Sequence, residues 1–153
     1  MITIKEVLKA QEKWANTIIE IGTLISDRKK LEGKTKVLVN GLYAFDIGKV
    51  LFKPTKAVLK PFRLTLHGAV SYFIGGNEEF PEDSGFALRP WIDVEFANAD
   101  IILNENNAIA MGSYIFKDPD GDSIKAEYTF GYVKDSNGDL RINVHHSSVP
   151  YNE

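Results

Sequence analysis

No cysteine occurs anywhere in the 153-residue chain, which excludes disulfides, thiolate nucleophiles and zinc–thiolate centres. Histidine is scarce as well: the three present are His67, His145 and His146, two of them adjacent near the C-terminus. A long apolar run is missing, and the opening Met1-Ile2-Thr3-Ile4-Lys5-Glu6 is not basic then apolar. Neither a signal peptide nor a membrane span is expected, and the chain is read as cytoplasmic. Charge of one sign is lacking too. The formal net charge is −3, and the basic clusters are short: Arg28-Lys29-Lys30, and Lys53, Lys56 and Lys60. Nucleic-acid binders gain affinity by neutralising phosphates with clustered cations, so that class is not expected. What remains, 44% hydrophobic and 25% charged residues, is the composition of a single domain over residues 1–153.

Thr3 and Glu6 have the spacing of a capping box, with Ile2 and Val7 placed for a hydrophobic staple, so a helix starts there. Apolar residues recur at Ile4, Val7, Leu8, Trp14, Ala15, Ile18, Ile21 and Ile25, and the basic residues 28–30 with Gly33 supply a stop. This predicts one helix of about 25 residues, long enough to cross a sheet. Residues 37–43 read either as two strands about an Asn40-Gly41 turn or as a helical face. A short strand at 49–53 is closed by Pro54. A helix at 64–74 ends at Gly75-Gly76 and carries His67 as a surface or capping residue. Residues 77–87 are acidic and turn-rich, and read as an exposed connection. From residue 88 the chain becomes strands at 91–97 (prolonged by 101–103), 108–116, 123–134 and the C-terminal stretch, joined by three turns. Helices first and an antiparallel meander after them make an α+β domain.

Asp118, Asp120 and Asp122 alternate as early calcium ligands do, but no distal Glu follows, and Asp-Gly is what a tight hairpin requires. No metal is expected. On the terminal strand a period of two puts Leu140, Ile142, Val144, His146 and Ser148 on one face, with Arg141, Asn143 and His145 opposite. Tyr128, Phe130 and Tyr132 share a face of the preceding strand. His146 then enters an aromatic interior, where it either serves a ligand or a proton, or is hydrogen-bonded for packing alone. The candidate ligand-binding set is His146, Tyr128, Tyr132, Tyr43, Arg89 and Trp91.

The layout resembles the NTF2-like cone fold. The phrase His145-His146-Ser147-Ser148-Val149-Pro150, preceded by Asn137-Gly138, is similar to the end of the association (hub) domain of calcium/calmodulin-dependent protein kinase II. Gly48-Lys49-Val50-Leu51-Phe52-Lys53-Pro54-Thr55 and Ala126-Glu127-Tyr128-Thr129-Phe130 resemble bacterial stand-alone, SnoaL-like members of that group. The resemblance implies helical residues 34–44, N-terminal helices packed on a curved, mainly antiparallel sheet, a pocket, and self-association as a homodimer or larger assembly. The pocket arginines of the kinase hub have no counterpart, Phe130 standing about where one would fall. The expected occupant is therefore a small, largely apolar or aromatic molecule rather than an anion. The functional expectation is a cofactor-free homo-oligomer binding such a molecule, with catalysis not demonstrable. The alternatives are an acid/base isomerase or hydrolase using His146, and a hub whose work is assembly.

Overall fold

A computed structural model describes residues 1–152. In chain order the elements are α1 (Ile4–Gly22), α2 (Arg28–Leu42), β1 (Leu51–Lys53), α3 (Leu66–Ile74), a single 3-10 turn (Phe86–Leu88), β2 (Asp93–Leu103), β3 (Asn107–Lys117), β4 (Ser123–Lys134) and β5 (Leu140–Ser148). The strands form one sheet in the order β1-β5-β4-β3-β2, antiparallel except that β1 runs parallel to β5. Three helices pack on this curved sheet, which is the expected α+β architecture. Among the described residues, no helix is long and apolar enough to cross a membrane.

The capping box forms: the Thr3 hydroxyl accepts from the Glu6 amide, and the Glu6 carboxylate accepts from the Thr3 amide at 2.8 Å. The first helix is shorter than the periodicity predicts, however. It ends at Gly22, and Asp27 caps a second helix by accepting from the Lys30 amide. The basic cluster therefore opens α2 instead of closing α1. Arg28 still serves a helix C-terminus, that of α3, whose last carbonyls on Ile74 and Gly75 accept from its guanidinium at 3.0 and 2.6 Å. Residues 37–42 lie within α2, so the helical reading holds there and the Asn40-Gly41 turn does not form.

Two bulges bend the sheet. In β2, Asn98 pairs with Gly112 and Asp100 with Met111, leaving Ala99 as the extra residue. In β5, Val144 pairs with Gly131 and Ile142 with Tyr132, leaving Asn143 extra. Each bulge lies opposite a glycine for a steric reason. A Cβ on Gly112 would stand 2.1 Å from the Ala97 carbonyl, and one on Gly131 would stand 2.9 Å from both Asn143 and Val144. Glycine inside a strand marks such close approach. The Asp118 and Asp135 carboxylates each accept two amide hydrogens of their own hairpin turns, and Gly121 and Gly138 supply positive φ, as the hairpin reading requires.

The core is aromatic and centres on Trp14 of α1. Its ring lies within 6.5 Å, centroid to centroid, of Phe73, Phe96, Tyr114, Phe116, Phe130 and His145. The polar interruption of the α1 stripe, Gln11, is buried as well, and it exchanges two hydrogen bonds with the Asn98 amide at 2.7 and 2.9 Å.

Candidate active site: a hydroxyl chain in an aromatic core

The bulge at Asn143 decides which histidine enters the core. A period of two assumes a regular strand, and one extra residue reverses the parity of everything after it. His145 and Ser147 therefore point inward at 2% and 1% exposure, and His146 points outward. The expectation that His146 enters the aromatic interior is corrected on this point. His146 opens onto a broad groove of about 630 Å³ on the other face of the sheet, beside Thr129, Glu127 and Ser148.

His145 stacks on Phe130 at 4.0 Å and on Phe52 at 4.9 Å between ring centroids. Its Nδ1 lies 2.8 Å from the Tyr43 hydroxyl, which also accepts from the Trp14 indole N–H at 3.0 Å. Its Nε2 lies 3.1 Å from the Tyr114 hydroxyl. Tyr114 is hydrogen-bonded in turn to Ser147, and the Ser147 hydroxyl lies 2.6 Å from that of Thr55. An unbroken chain of polar groups thus runs Trp14, Tyr43, His145, Tyr114, Ser147, Thr55 through an otherwise apolar interior.

The chain ends at a small internal cavity. Thr55, Tyr72, Tyr114, His145 and Ser147 form its polar side, and Trp14, Phe52, Phe73, Phe86 and Phe116 form most of the rest. Its free volume is about 10 Å³, room for roughly one water molecule. Tyr72 and Phe86, stacked at 5.5 Å and 18°, separate it from an outer vestibule of about 230 Å³ that Lys56, Arg89 and Trp91 help to line. Phe86 sits on the single 3-10 turn after Gly85, whose φ is 88°. The backbone amide of Lys56 donates to the Tyr72 hydroxyl at 3.2 Å, tying Thr55 and Tyr72 together from outside.

The loop carrying Thr55 is held from beneath. Glu82 accepts from the amides of Val58, Leu59 and Lys60 at 2.6, 3.1 and 2.8 Å, which lowers its carboxyl from the ordinary value. The Arg63 guanidinium, fully buried, grips the Asp83 carboxylate with two bonds of 2.7 Å and donates to the carbonyls of Lys60 and Gly68. Ser71 of α3 donates to the same carboxylate at 2.5 Å.

The remaining sequence candidates divide. Tyr43 joins the chain behind His145. Arg89 and Trp91 line the vestibule, with Arg89 paired to Asp118 at 2.9 Å. Tyr128 and Tyr132 are buried, but neither lines the internal cavity; the Tyr128 hydroxyl donates to Asn98 at 2.7 Å instead. His67 is on the surface, bonded to Glu79 and Asn77. The residues missed are Thr55, Tyr72, Tyr114, His145 and Ser147. Thr55 ends the phrase that resembles the bacterial members and Ser147 lies inside the one similar to the kinase hub, and those resemblances are the available signal.

Burial pushes the tyrosines of the site above the ordinary phenol value and holds His145 well below the ordinary imidazole value. For His145 the sign follows directly. Its folded pKa lies below the unfolded value of about 6.5, so the unfolded chain binds a proton first. Its contribution to stability is complete above that pH and is lost as pH falls from there toward the folded value. Calorimetric stability is expected to fall as pH drops below about 6.5, with a slope of up to ~1.4 kcal/mol per pH unit, and a His145→Asn variant flattens that slope. A His146→Ala variant is expected to retain wild-type stability and activity within about twofold, since surface substitutions cost ~0.5 kcal/mol or less; melting and rate measurements check both.

Helices packed in a bent sheet with a site inside it define an NTF2-like cone. A calcium/calmodulin dependent protein kinase II association domain from Xanthomonas campestris has the same fold, with a TM-score of 0.67 and 21% identity over 100% of this chain and 91% of that one. Within that class the chain belongs to the family described as metal-independent carbonic anhydrase, which matches residues 5–149. The metal-independent carbonic anhydrase of Nostoc sp. (strain PCC 7120) is 41% identical over 155 residues, covering 99% of this chain and 76% of its own. The crystal structure of a cyanobacterial iota-carbonic anhydrase complexed with bicarbonate superposes with a TM-score of 0.96 at 39% identity, covering 99% and 94% of the two chains. The ligand of that structure is an anion, unlike the largely apolar or aromatic occupant expected here from the absence of pocket arginines; neutral hydroxyls also donate to anions.

Proposed function

We propose that this protein interconverts carbon dioxide and bicarbonate in the small internal cavity, using hydrogen-bonding side chains in place of a metal. The observation that carries the reading is the division of that cavity into aromatic rings and a polar side bearing the hydroxyls of Thr55, Tyr72, Tyr114 and Ser147. The rings suit apolar, linear carbon dioxide. The hydroxyls suit the oxygens of bicarbonate and of the transition state leading to it. Among the described residues no three His, Cys, Asp or Glu side chains converge as a metal site would require, so the donors available are these hydroxyls.

In hydration, a water oxygen attacks the carbon, one C=O pair moves onto its oxygen, and the water gives up a proton. Negative charge develops where the Thr55 hydroxyl can donate, and a preorganised donor in a dry site acts strongly on such charge. Burial disfavours a charged His145 ring, so the proton is passed to water reached through the opened wall of Tyr72 and Phe86, on the vestibule side. Dehydration reverses each step. The cavity has room for about one water, so admission of substrate requires its wall, which includes Tyr72 and Phe86, to open.

Self-association, expected from the hub resemblance, belongs to the same proposal; sedimentation showing only monomer at micromolar concentration removes it. The catalytic reading is tested by stopped-flow carbon dioxide hydration with chelator-treated protein. A protein-dependent rate unaffected by chelator is expected, and no acceleration at any protein concentration would overturn it.

A further inference from the structure

We infer that Trp14 is a positioning residue that selects the tautomer of His145 and so sets the direction of the whole hydroxyl chain. The inference comes from counting donors at fully buried groups. The Tyr43 hydroxyl, 0% exposed, has two hydrogen-bonding partners: the Trp14 indole nitrogen and His145 Nδ1. Indole nitrogen is only ever a donor. If His145 also donated from Nδ1, the Tyr43 oxygen would accept twice and its own hydrogen would be buried without an acceptor.

The alternative satisfies every group. Tyr43 accepts from Trp14 and donates to Nδ1, and the neutral ring carries its hydrogen on Nε2. Nε2 then donates to Tyr114, Tyr114 donates to Ser147, Ser147 donates to Thr55, and the Thr55 hydrogen is left for the cavity. An unsatisfied buried hydroxyl is costly enough to bias the two arrangements roughly tenfold or more toward this one.

The consequence for chemistry deepens the reading above and rests on it: the chain meets the cavity as a donor, matched to an anionic oxygen. His145 has no free acceptor left for the proton of the attacking water, so it orders the chain instead of acting as the base. The tautomer itself stands independently of any activity.

The test is a long-range ¹H–¹⁵N spectrum of the histidine rings at pH 8. His145 is expected to show hydrogen on Nε2 and an acceptor-type Nδ1. Replacing the indole N–H while keeping its shape, with benzothienylalanine at position 14, is expected to shift both ¹⁵N signals toward a mixture of tautomers. Trp14→Phe gives the same shift if it folds. Hydrogen on Nδ1 in the wild type, or ring signals unchanged by loss of the indole N–H, would overturn the inference. Neither readout depends on turnover, so a catalytically inert protein with the expected spectrum would defeat the proposed function and leave this assignment standing.

Discussion

Replacing Ser147 with alanine is expected to lower kcat/KM for carbon dioxide hydration by up to about 100- to 1,000-fold, because it removes the acceptor-side partner that keeps the Thr55 hydrogen turned to the cavity, and loss of one preorganised donor to a developing oxyanion has that size. Ser147 is placed to have this effect because it is the junction of the chain: its hydroxyl meets both Tyr114 and Thr55, and its side chain lines the cavity. The substitution removes one oxygen and leaves the strand pairing to Tyr128 unchanged. Tyr114 and Thr55 each lose a partner in a buried place, which costs about 1–3 kcal/mol of stability. Stopped-flow rates together with melting curves separate the two effects. Thr55→Val is expected to lower the rate similarly, with a smaller loss of stability because Thr55 is only partly buried.

The largest structural effect is expected from Asp83→Ala. Arg63 is fully buried, and its bidentate partner Asp83 is 2% exposed at the side chain. Removing one member of a buried pair leaves the other charge uncompensated, at about 3–5 kcal/mol. For a chain of this size that is a drop in Tm of roughly 6–20 °C. Glu82, 3.8 Å from the guanidinium, supplies only partial replacement. The double replacement Arg63→Met with Asp83→Met is expected to cost less than the sum of the single ones, because no buried charge is then stranded. Both variants loosen the loop bearing Thr55, so activity is expected to fall more than the folded fraction does; calorimetry and hydration rates on the same samples show this.

Much of the fold was legible because local chemistry and global architecture agree. The Thr3 cap, the aspartate-glycine turns and the alternation of β4 each specify their element within a few residues. Two local rules failed for identifiable reasons. The stripe through α1 runs on to Ile25, but Asp27 starts a new helix, and Arg28 after it reaches across to α3. Strict alternation on β5 chose His146, but the bulge opposite Gly131 turned His145 inward. Gly131, inside an otherwise well-formed strand, was the clue to that irregularity. The site was less legible than the fold. Thr55 and Ser147 are 92 residues apart, and no spacing within either segment connects them. No local pattern marks Arg63 as buried; the Asp83 loop and the start of α3 supply its partners.

The most direct test of the account is where bicarbonate sits. A crystal structure of the protein soaked in bicarbonate is expected to place the anion within hydrogen-bond distance of the Thr55 hydroxyl, with the wall of Tyr72 and Phe86 displaced to make room. Bicarbonate bound only in the vestibule or in the groove beside His146, in a crystal whose dissolved protein still hydrates carbon dioxide, would contradict it.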